Sequence, residues 1–200
     1  MRRRSVLALL VVLSLTGCGG PEVAPLAPDA VILAFGDSLT RGTGAPAGQG
    51  YPEALAELTG RTVINAGIPG EVSAAGRARL PSLLSEHRPA LVVLVHGGND
   101  ILRRMPASRT RENLAQMVRA SRDAGADVVM LGVPGPSLTL SAPGYYEAVA
   151  EEAGVPIDVD TLPSLMRDSS VKSDAVHFDA RGYRRMAEGV HALLRSSGAL

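Results

Sequence analysis

The chain has 200 residues, 46% of them hydrophobic, which is enough for one domain with a substantial core. Twenty basic residues balance twenty acidic ones, and aromatic residues make up only 3% of the chain. This composition provides neither the basic surface nor the aromatic stacking platforms of nucleic-acid-binding proteins, so we expect no nucleic-acid partner.

The beginning of the chain has the pattern of a secretory signal peptide. Three arginines follow Met1, and an apolar run, VLALLVVLSL, covers residues 6–15 and is too short to span a bilayer in the usual way. The run ends in LTGC, which is similar to the bacterial lipobox. This resemblance implies that residues 1–17 are removed and that Cys18 is lipidated, which would anchor the protein to a membrane of the bacterial cell envelope, with its domain facing the periplasm or the exterior.

A segment rich in proline, glycine and alanine separates this leader from the rest of the chain. Residues 18–29 have no apolar periodicity, and the pattern predicts a flexible linker that holds the globular domain, residues 30–200, away from the bilayer. Cys18 is the only cysteine, so an intrachain disulfide is excluded.

Five stretches rich in Val, Ile and Leu predict buried strands. They are VILAF (31–35), TVIN (62–65), LVVLVH (91–96), DVVML (127–131) and PIDV (156–159). Helical patterns lie between them, which favours an α/β fold with a doubly wound parallel sheet in a single domain.

Three of the helical patterns allow more specific predictions. One is expected to begin at a Thr110 cap and to end at Gly125, and the last helix is expected to begin at an Asp179 cap. The pattern over residues 73–87 contains Pro81, which is expected to kink the helix or to begin a second turn.

Polar segments follow several of the predicted strands. Ser38, the segment NAGIPG (65–70) and the segment GGND (97–100) come directly after the first three strands, and DAVH (174–177) precedes the last helix. Ligands of parallel sheets bind beyond the carboxyl ends of the strands, so we expect these four segments to meet at one edge.

These segments contain the parts of a serine hydrolase. Ser38 is the candidate nucleophile, His177 the candidate general base and Asp174 the group that orients the imidazole. Donors for an oxyanion are the backbone N–H groups of Ser38 and Gly70 and the side-chain amide of Asn99. The alternative interpretation of GDS is a simple tight turn.

The neighbours of these residues are assigned other roles. Asp37 is expected to cap the turn, Asp100 to hold the loop of Asn99, and His96 to be a packed histidine at a strand end. The apolar residues Ile101, Leu102 and Met105 follow Asn99 directly and are candidates for contacting the acyl chain. The chain has neither an H-E-x-x-H motif nor a His/Cys cluster, so neither a metal nor a cofactor is expected.

The four polar segments, GDSL (36–39), NAGIPG, GGND and DAVH, resemble in order and spacing the four blocks of the SGNH hydrolases, also called GDSL esterases/lipases. Residues 78–100 are similar to the periplasmic thioesterase/lysophospholipase and arylesterase branch. The resemblance implies a three-layer α/β/α sandwich with a five-stranded parallel sheet. It also implies the same roles for Ser38, Gly70, Asn99, Asp174 and His177.

The expected function is hydrolysis of small-molecule carboxylic esters or thioesters of short to medium acyl chains through an acyl-enzyme. Two alternatives remain open at this point. One is a carbohydrate O-acetylesterase, and the other is a lipoprotein that binds ligands on the same fold without catalysis.

Overall fold

A parallel five-stranded sheet forms the centre of the fold. The computed structural model describes residues 20–135 and 140–200, and within them the strand order is β2-β1-β3-β4-β5. The strands are β1 (Val31–Gly36), β2 (Thr62–Gly67), β3 (Leu91–Val95), β4 (Asp127–Leu131) and β5 (Ile157–Asp158), and every pair is parallel. All five predicted strands are therefore present, with ends that differ by one or two residues.

Helices cover the sheet in two groups. They are α1 (Ser38–Arg41), α2 (Tyr51–Thr59), α3 (Ser73–His87), α4 (Gly98–Leu102), α5 (Ala107–Asp123), α6 (Tyr145–Ala153), α7 (Thr161–Arg167) and α8 (Ala180–Ser196), with a 3₁₀ turn at Ser169–Val171. Helices α2 and α7 contact α8, and helices α3 and α6 contact α5. This arrangement confirms the predicted three-layer α/β/α sandwich. None of the helices in the described part of the chain combines the length and apolarity needed to cross a membrane.

The core lies on both sides of the sheet because the strands carry aliphatic side chains at successive positions. Strand β3, LVVLV, is buried along its whole length, and β1 is buried from Ile32 onward. Strands with both faces covered have no solvent-facing side to alternate with, which accounts for the continuous apolar runs in the sequence.

One of the helix predictions needs correction. Helix α5 begins at Ala107, after Pro106, so Thr110 does not cap it; Thr110 is buried inside the helix and its hydroxyl points to Asp100 at 3.4 Å. Helix α3 includes the exposed residue Pro81 and does not end there, and the kink at this proline stays a prediction. The Asp179 cap of α8 is confirmed, because its carboxylate accepts a hydrogen bond from the Gly182 N–H at 2.9 Å.

The second half of the predicted linker packs on the domain. Val23 and Leu26 are buried, and their N–H groups donate to the carbonyls of Ser197 and Ala199 at 2.8 and 2.9 Å. The expectation of a flexible tether up to residue 29 is therefore wrong for these residues. The burial of two apolar side chains and the two backbone hydrogen bonds offset the conformational entropy that the segment loses when it packs on the domain. Two isolated apolar residues produce no periodic pattern, so the sequence did not indicate this packing.

This N-terminal segment runs along the edge of the sheet at which the strands begin. The Ala24 N–H donates to the carboxylate of Asp127, the first residue of β4, and the Arg61 guanidinium, next to the start of β2, donates to the carbonyls of Leu26 and Ala27. The chain thus follows this edge of the sheet before it enters β1.

Candidate active site

Ser38 lies at the carboxyl end of β1, where the strand turns directly into α1. The turn is held by Asp37, whose buried carboxylate accepts a hydrogen bond from the Leu39 N–H at 3.2 Å. Asp37 therefore caps the turn, as predicted from the sequence. Burial raises the pKa of Asp37, and the hydrogen bond from Leu39 opposes this shift.

His177 stands between Ser38 and Asp174. Its Nε2 is 2.9 Å from the Ser38 hydroxyl, and its Nδ1 is 2.7 Å from a carboxylate oxygen of Asp174. Because a carboxylate only accepts hydrogen bonds, the proton of neutral His177 lies on Nδ1, which leaves the Nε2 lone pair directed at the serine hydroxyl.

Asp174 is fixed by its own turn. Its second oxygen accepts hydrogen bonds from the N–H groups of Val176 and His177, both at 2.8 Å. The hydrogen bonds from the His177 side chain and from the Val176 N–H lower the pKa of Asp174 to about 2. The short spacing of DAVH thus allows a single turn to carry both the imidazole and its carboxylate partner.

The residues of the three potential oxyanion donors line one cavity. Gly70 has a φ of 76°, a left-handed conformation that favours glycine, and it lines the same cavity as Ser38 and Asn99. None of the hydrogen bonds found in the described part of the chain uses the N–H of Ser38 or Gly70 as its donor. These two groups are therefore available to an acceptor in the cavity.

The side chain of Asn99 is held from two sides. Its Nδ2 donates to the Asp37 carboxylate at 3.2 Å and to the Glu71 carbonyl at 3.0 Å. Both amide protons thus have acceptors, and Asn99 itself lines the cavity beside Ser38.

Asp100 and His96 stand behind these loops and not in the cavity. The Asp100 carboxylate accepts hydrogen bonds from the backbone N–H and the hydroxyl of Ser73, and this contact fixes α4 against the start of α3. His96 is fully buried next to the Phe35 ring, as expected for a packed histidine.

The site opens into a cavity of about 350 Å³ that is mainly apolar. Besides the catalytic candidates and residues close to them in the chain, part of its wall comes from the loop after β4, from α7 and from the segment before α8; these residues are Val133, Pro134, Gly135, Leu140, Met166, Lys172, Ala175 and Val176. Ala175 and Val176 belong to the DAVH segment singled out in the sequence. The loop after β4 follows the end of a strand, where ligands of parallel sheets bind, but the sequence analysis assigned no site role to its individual residues.

Of the three residues expected to contact an acyl chain, Leu102 lines the cavity and lies half-exposed at its mouth. Ile101 instead packs against the core and Gly135, and Met105 does not line the cavity. Residues 98–102 form a helix, so neighbouring side chains point in different directions, and Met105 follows the turn at Arg104. The described residues contain no group of three His, Cys, Asp or Glu side chains suited to a metal ion.

Comparison with known proteins assigns the family. Residues 34–185 match the model of the GDSL-like Lipase/Acylhydrolase family. The chain is 34% identical over 177 residues to Esterase TesA of Pseudomonas aeruginosa, covering 82% of this chain and 87% of that protein. It is 30% identical over 158 residues to Thioesterase 1/protease 1/lysophospholipase L1 of Escherichia coli K12, covering 73% and 74%.

A solved structure agrees with these relatives. The crystal structure of TesA superposes with a TM-score of 0.76 at 33% identity, covering 82% of this chain and 98% of that one. The chain therefore belongs to the GDSL-like lipase/acylhydrolase family and is a serine ester hydrolase of the SGNH type.

Proposed function

We propose that the protein hydrolyses carboxylic esters or thioesters of short to medium acyl chains, with Ser38 as the nucleophile. The proposal is supported above all by the chain of contacts from Asp174 through His177 to Ser38 at the wall of an apolar cavity. A serine hydroxyl is a weak nucleophile until a neighbouring base accepts its proton, and this geometry supplies that base.

In the first half of the reaction, the Ser38 oxygen attacks the carbonyl carbon while Nε2 of His177 takes the hydroxyl proton. The carbonyl oxygen becomes an oxyanion, which the N–H groups of Ser38 and Gly70 and the amide of Asn99 stabilise. The bond to the alcohol or thiol then breaks, and His177 delivers its proton to that leaving group. The acyl group remains on Ser38.

In the second half, a water molecule takes the place of the leaving group. His177 removes one of its protons as the water oxygen attacks the acyl carbon, and the same three donors hold the second oxyanion. Collapse of this intermediate releases the acid and returns the proton from His177 to Ser38. Asp174 stays ionised throughout and stabilises the imidazolium that forms in each half.

The apolar walls favour an acyl chain over a sugar as the group in the cavity. Each additional buried methylene is expected to lower the activation free energy that corresponds to kcat/KM by about 0.8 kcal/mol until the cavity is filled.

The test is a series of p-nitrophenyl esters from acetate to palmitate, together with acyl thioesters and acetylated sugars. Ser38→Ala is the control and should neither turn over esters nor react with a fluorophosphonate. Turnover of acetyl sugars alone would favour the O-acetylesterase, and a wild type that neither hydrolyses esters nor reacts with the probe would favour the ligand-binding lipoprotein.

We further propose that Cys18 carries a lipid and holds the enzyme at a membrane of the cell envelope. Cys18 lies outside the described residues, and the proposal is supported by the order of positive, apolar and LTGC segments at residues 1–18. A stable anchor needs more than one acyl chain, so lipidation should be multiple. Metabolic labelling with palmitate should mark the wild type and should be absent from Cys18→Ala. Equal labelling of both proteins would contradict the anchor.

A further inference from the structure

A cluster of buried charged and polar side chains lies behind the proposed oxyanion site. It consists of Glu71, Arg79 and His96, whose side chains are 4%, 20% and 0% exposed. None of the three lines the substrate cavity. The mechanism proposed above does not use them, so their burial calls for a separate explanation.

Arg79 joins several backbone segments of the site. Its Nε and Nη2 donate to the two carboxylate oxygens of Glu71, each at 2.7 Å. Nη2 also contacts the carbonyls of Ala66 at 2.8 Å and Gly36 at 3.2 Å, at the carboxyl ends of β2 and β1. The guanidinium lies 4.2 Å from the centre of the Phe35 ring. One side chain thus ties both strand ends to the residue after Gly70.

His96 brings the third strand end into the same cluster. Its Nδ1 accepts a hydrogen bond from the Gly97 N–H at 2.8 Å, so in the neutral ring Nε2 carries the proton and donates to Glu71 at 3.1 Å. The absence of a side chain at Gly76 of α3 permits this contact, since a Cβ there would lie 2.3 Å from Nε2.

Glu71 is the point at which these contacts meet. Burial acts to raise its pKa, but the hydrogen bonds from His96 and Arg79 outweigh burial and hold the pKa below its usual range. Its backbone carbonyl accepts one of the two hydrogen bonds of the Asn99 amide. The ionised side chain and the backbone of one residue thus connect the cluster to a proposed oxyanion donor.

We propose that Glu71, Arg79 and His96 are positioning residues that set the spacing of the three oxyanion donors. Gly36 lies two residues before Ser38, Glu71 follows Gly70 and holds Asn99, and His96 leads into the helix that carries Asn99. The inference rests on the proposed function, because it assigns the cluster a part in that same reaction.

A positional role is favoured over a purely stabilising one by the energetics of buried ions. A buried ion pair gains little net stability, because the desolvation of both charges offsets their attraction. Donors for an oxyanion, in contrast, act strongly only when they are already in place, and small displacements at a reacting centre are costly. The cluster should therefore influence kcat more than stability or KM.

The test replaces Arg79 with lysine. An ammonium group can still pair with Glu71, but it lacks the fork that reaches two carbonyls and a carboxylate together. The matched control is Arg61→Lys, since the half-buried Arg61 also donates to backbone carbonyls, those of Leu26, Ala27 and Thr59, at the opposite edge of the sheet. Melting curves of both variants measure the loss of stability.

We expect Arg79→Lys to lower kcat roughly 10- to 100-fold with KM within about twofold of wild type. The factor should be the same for acetate and octanoate esters, because a displaced oxyanion donor affects every substrate, whereas a deformed cavity would alter the chain-length preference. Arg61→Lys should lose a similar amount of thermal stability and keep the wild-type kcat.

Three results would overturn the inference: a kcat of Arg79→Lys within twofold of wild type, an equal loss of kcat in Arg61→Lys, or a loss that depends on chain length. If Arg79→Lys does not fold, Glu71→Gln takes its place. The amide nitrogen of glutamine cannot accept the hydrogen bond that one carboxylate oxygen accepts from Arg79 or His96, so the cluster should be displaced and the same criteria apply. A wild type that hydrolyses no ester would overturn the proposed function together with this inference, whereas normal wild-type activity with an unaffected Arg79→Lys overturns the inference alone.

Discussion

At the scale of single residues, the proposed role of the Asn99 amide as an oxyanion donor leads to a quantitative prediction. In Asn99→Ala the oxyanion loses a donor that acts only as charge develops, so kcat should fall about 10²- to 10³-fold while KM changes little. A melting curve on the same sample shows how much of the protein is folded. A kcat within about threefold of wild type in the folded variant would remove Asn99 from the site.

The contacts of Asp174 predict the shape of the pH profile. The hydrogen bonds from the His177 side chain and the Val176 N–H lower the pKa of Asp174 to about 2. The stability that ionised Asp174 contributes to the folded protein is therefore fully present above the ordinary pKa of an aspartate, and it is lost as pH falls through about 2. Asp174 should therefore contribute no step to kcat/KM between pH 4 and the plateau, measured with a soluble ester. Because burial raises the pKa of Asp37, the profile is repeated with Asp37→Asn to assign any further step in that range. A step that persists in Asp37→Asn and disappears in Asp174→Asn would contradict an Asp174 that stays ionised.

At the scale of secondary-structure elements, the N-terminal segment predicts where stability depends on residues before β1. Leu26 is 8% exposed and its N–H donates to the carbonyl of Ala199, shortly after α8. Leu26→Ala should lower the free energy of unfolding by about 2 kcal/mol, near the lower end for a buried leucine because the site lies next to solvent. The exposed residue Glu22 offers the control Glu22→Ala, which should have little effect. Thermal melts compare the two, and kcat should be unchanged in both because the segment lies at the edge away from Ser38. Equal melting temperatures for wild type and Leu26→Ala would show that the packing contributes nothing.

At the scale of the whole molecule, the sequence was sufficient for the sheet and for the residues that meet at its carboxyl edge. Continuous apolar runs marked the strands, and the four polar segments marked Ser38, Gly70, Asn99 and the turn of Asp174 and His177. Contacts that join distant segments left no such local signal. Arg79 lies on a helix of low amphipathicity, and nothing in its spacing indicates that it reaches Gly36, 43 residues earlier.

The same limit explains the N-terminal segment, which was predicted to be a linker. A composition of proline, glycine and alanine indicates an extended backbone, but it does not show whether two isolated apolar side chains find a surface to pack on. Val23 and Leu26 find that surface at the end of α8, more than 170 residues away along the chain.

The path of that segment has a consequence for how the enzyme meets its substrate. The N-terminal residues enter along the edge where the strands begin, and the cavity opens at the edge where they end. Cys18 precedes Gly20, the first described residue, by two positions, a reach of at most roughly 7 Å. With a lipid on Cys18, the edge where the strands begin would face the bilayer, and the mouth of the cavity would face the aqueous compartment. The substrates would then be esters that diffuse in from the water, because the lipids of the leaflet that holds the anchor would lie at the opposite edge of the sheet from the cavity.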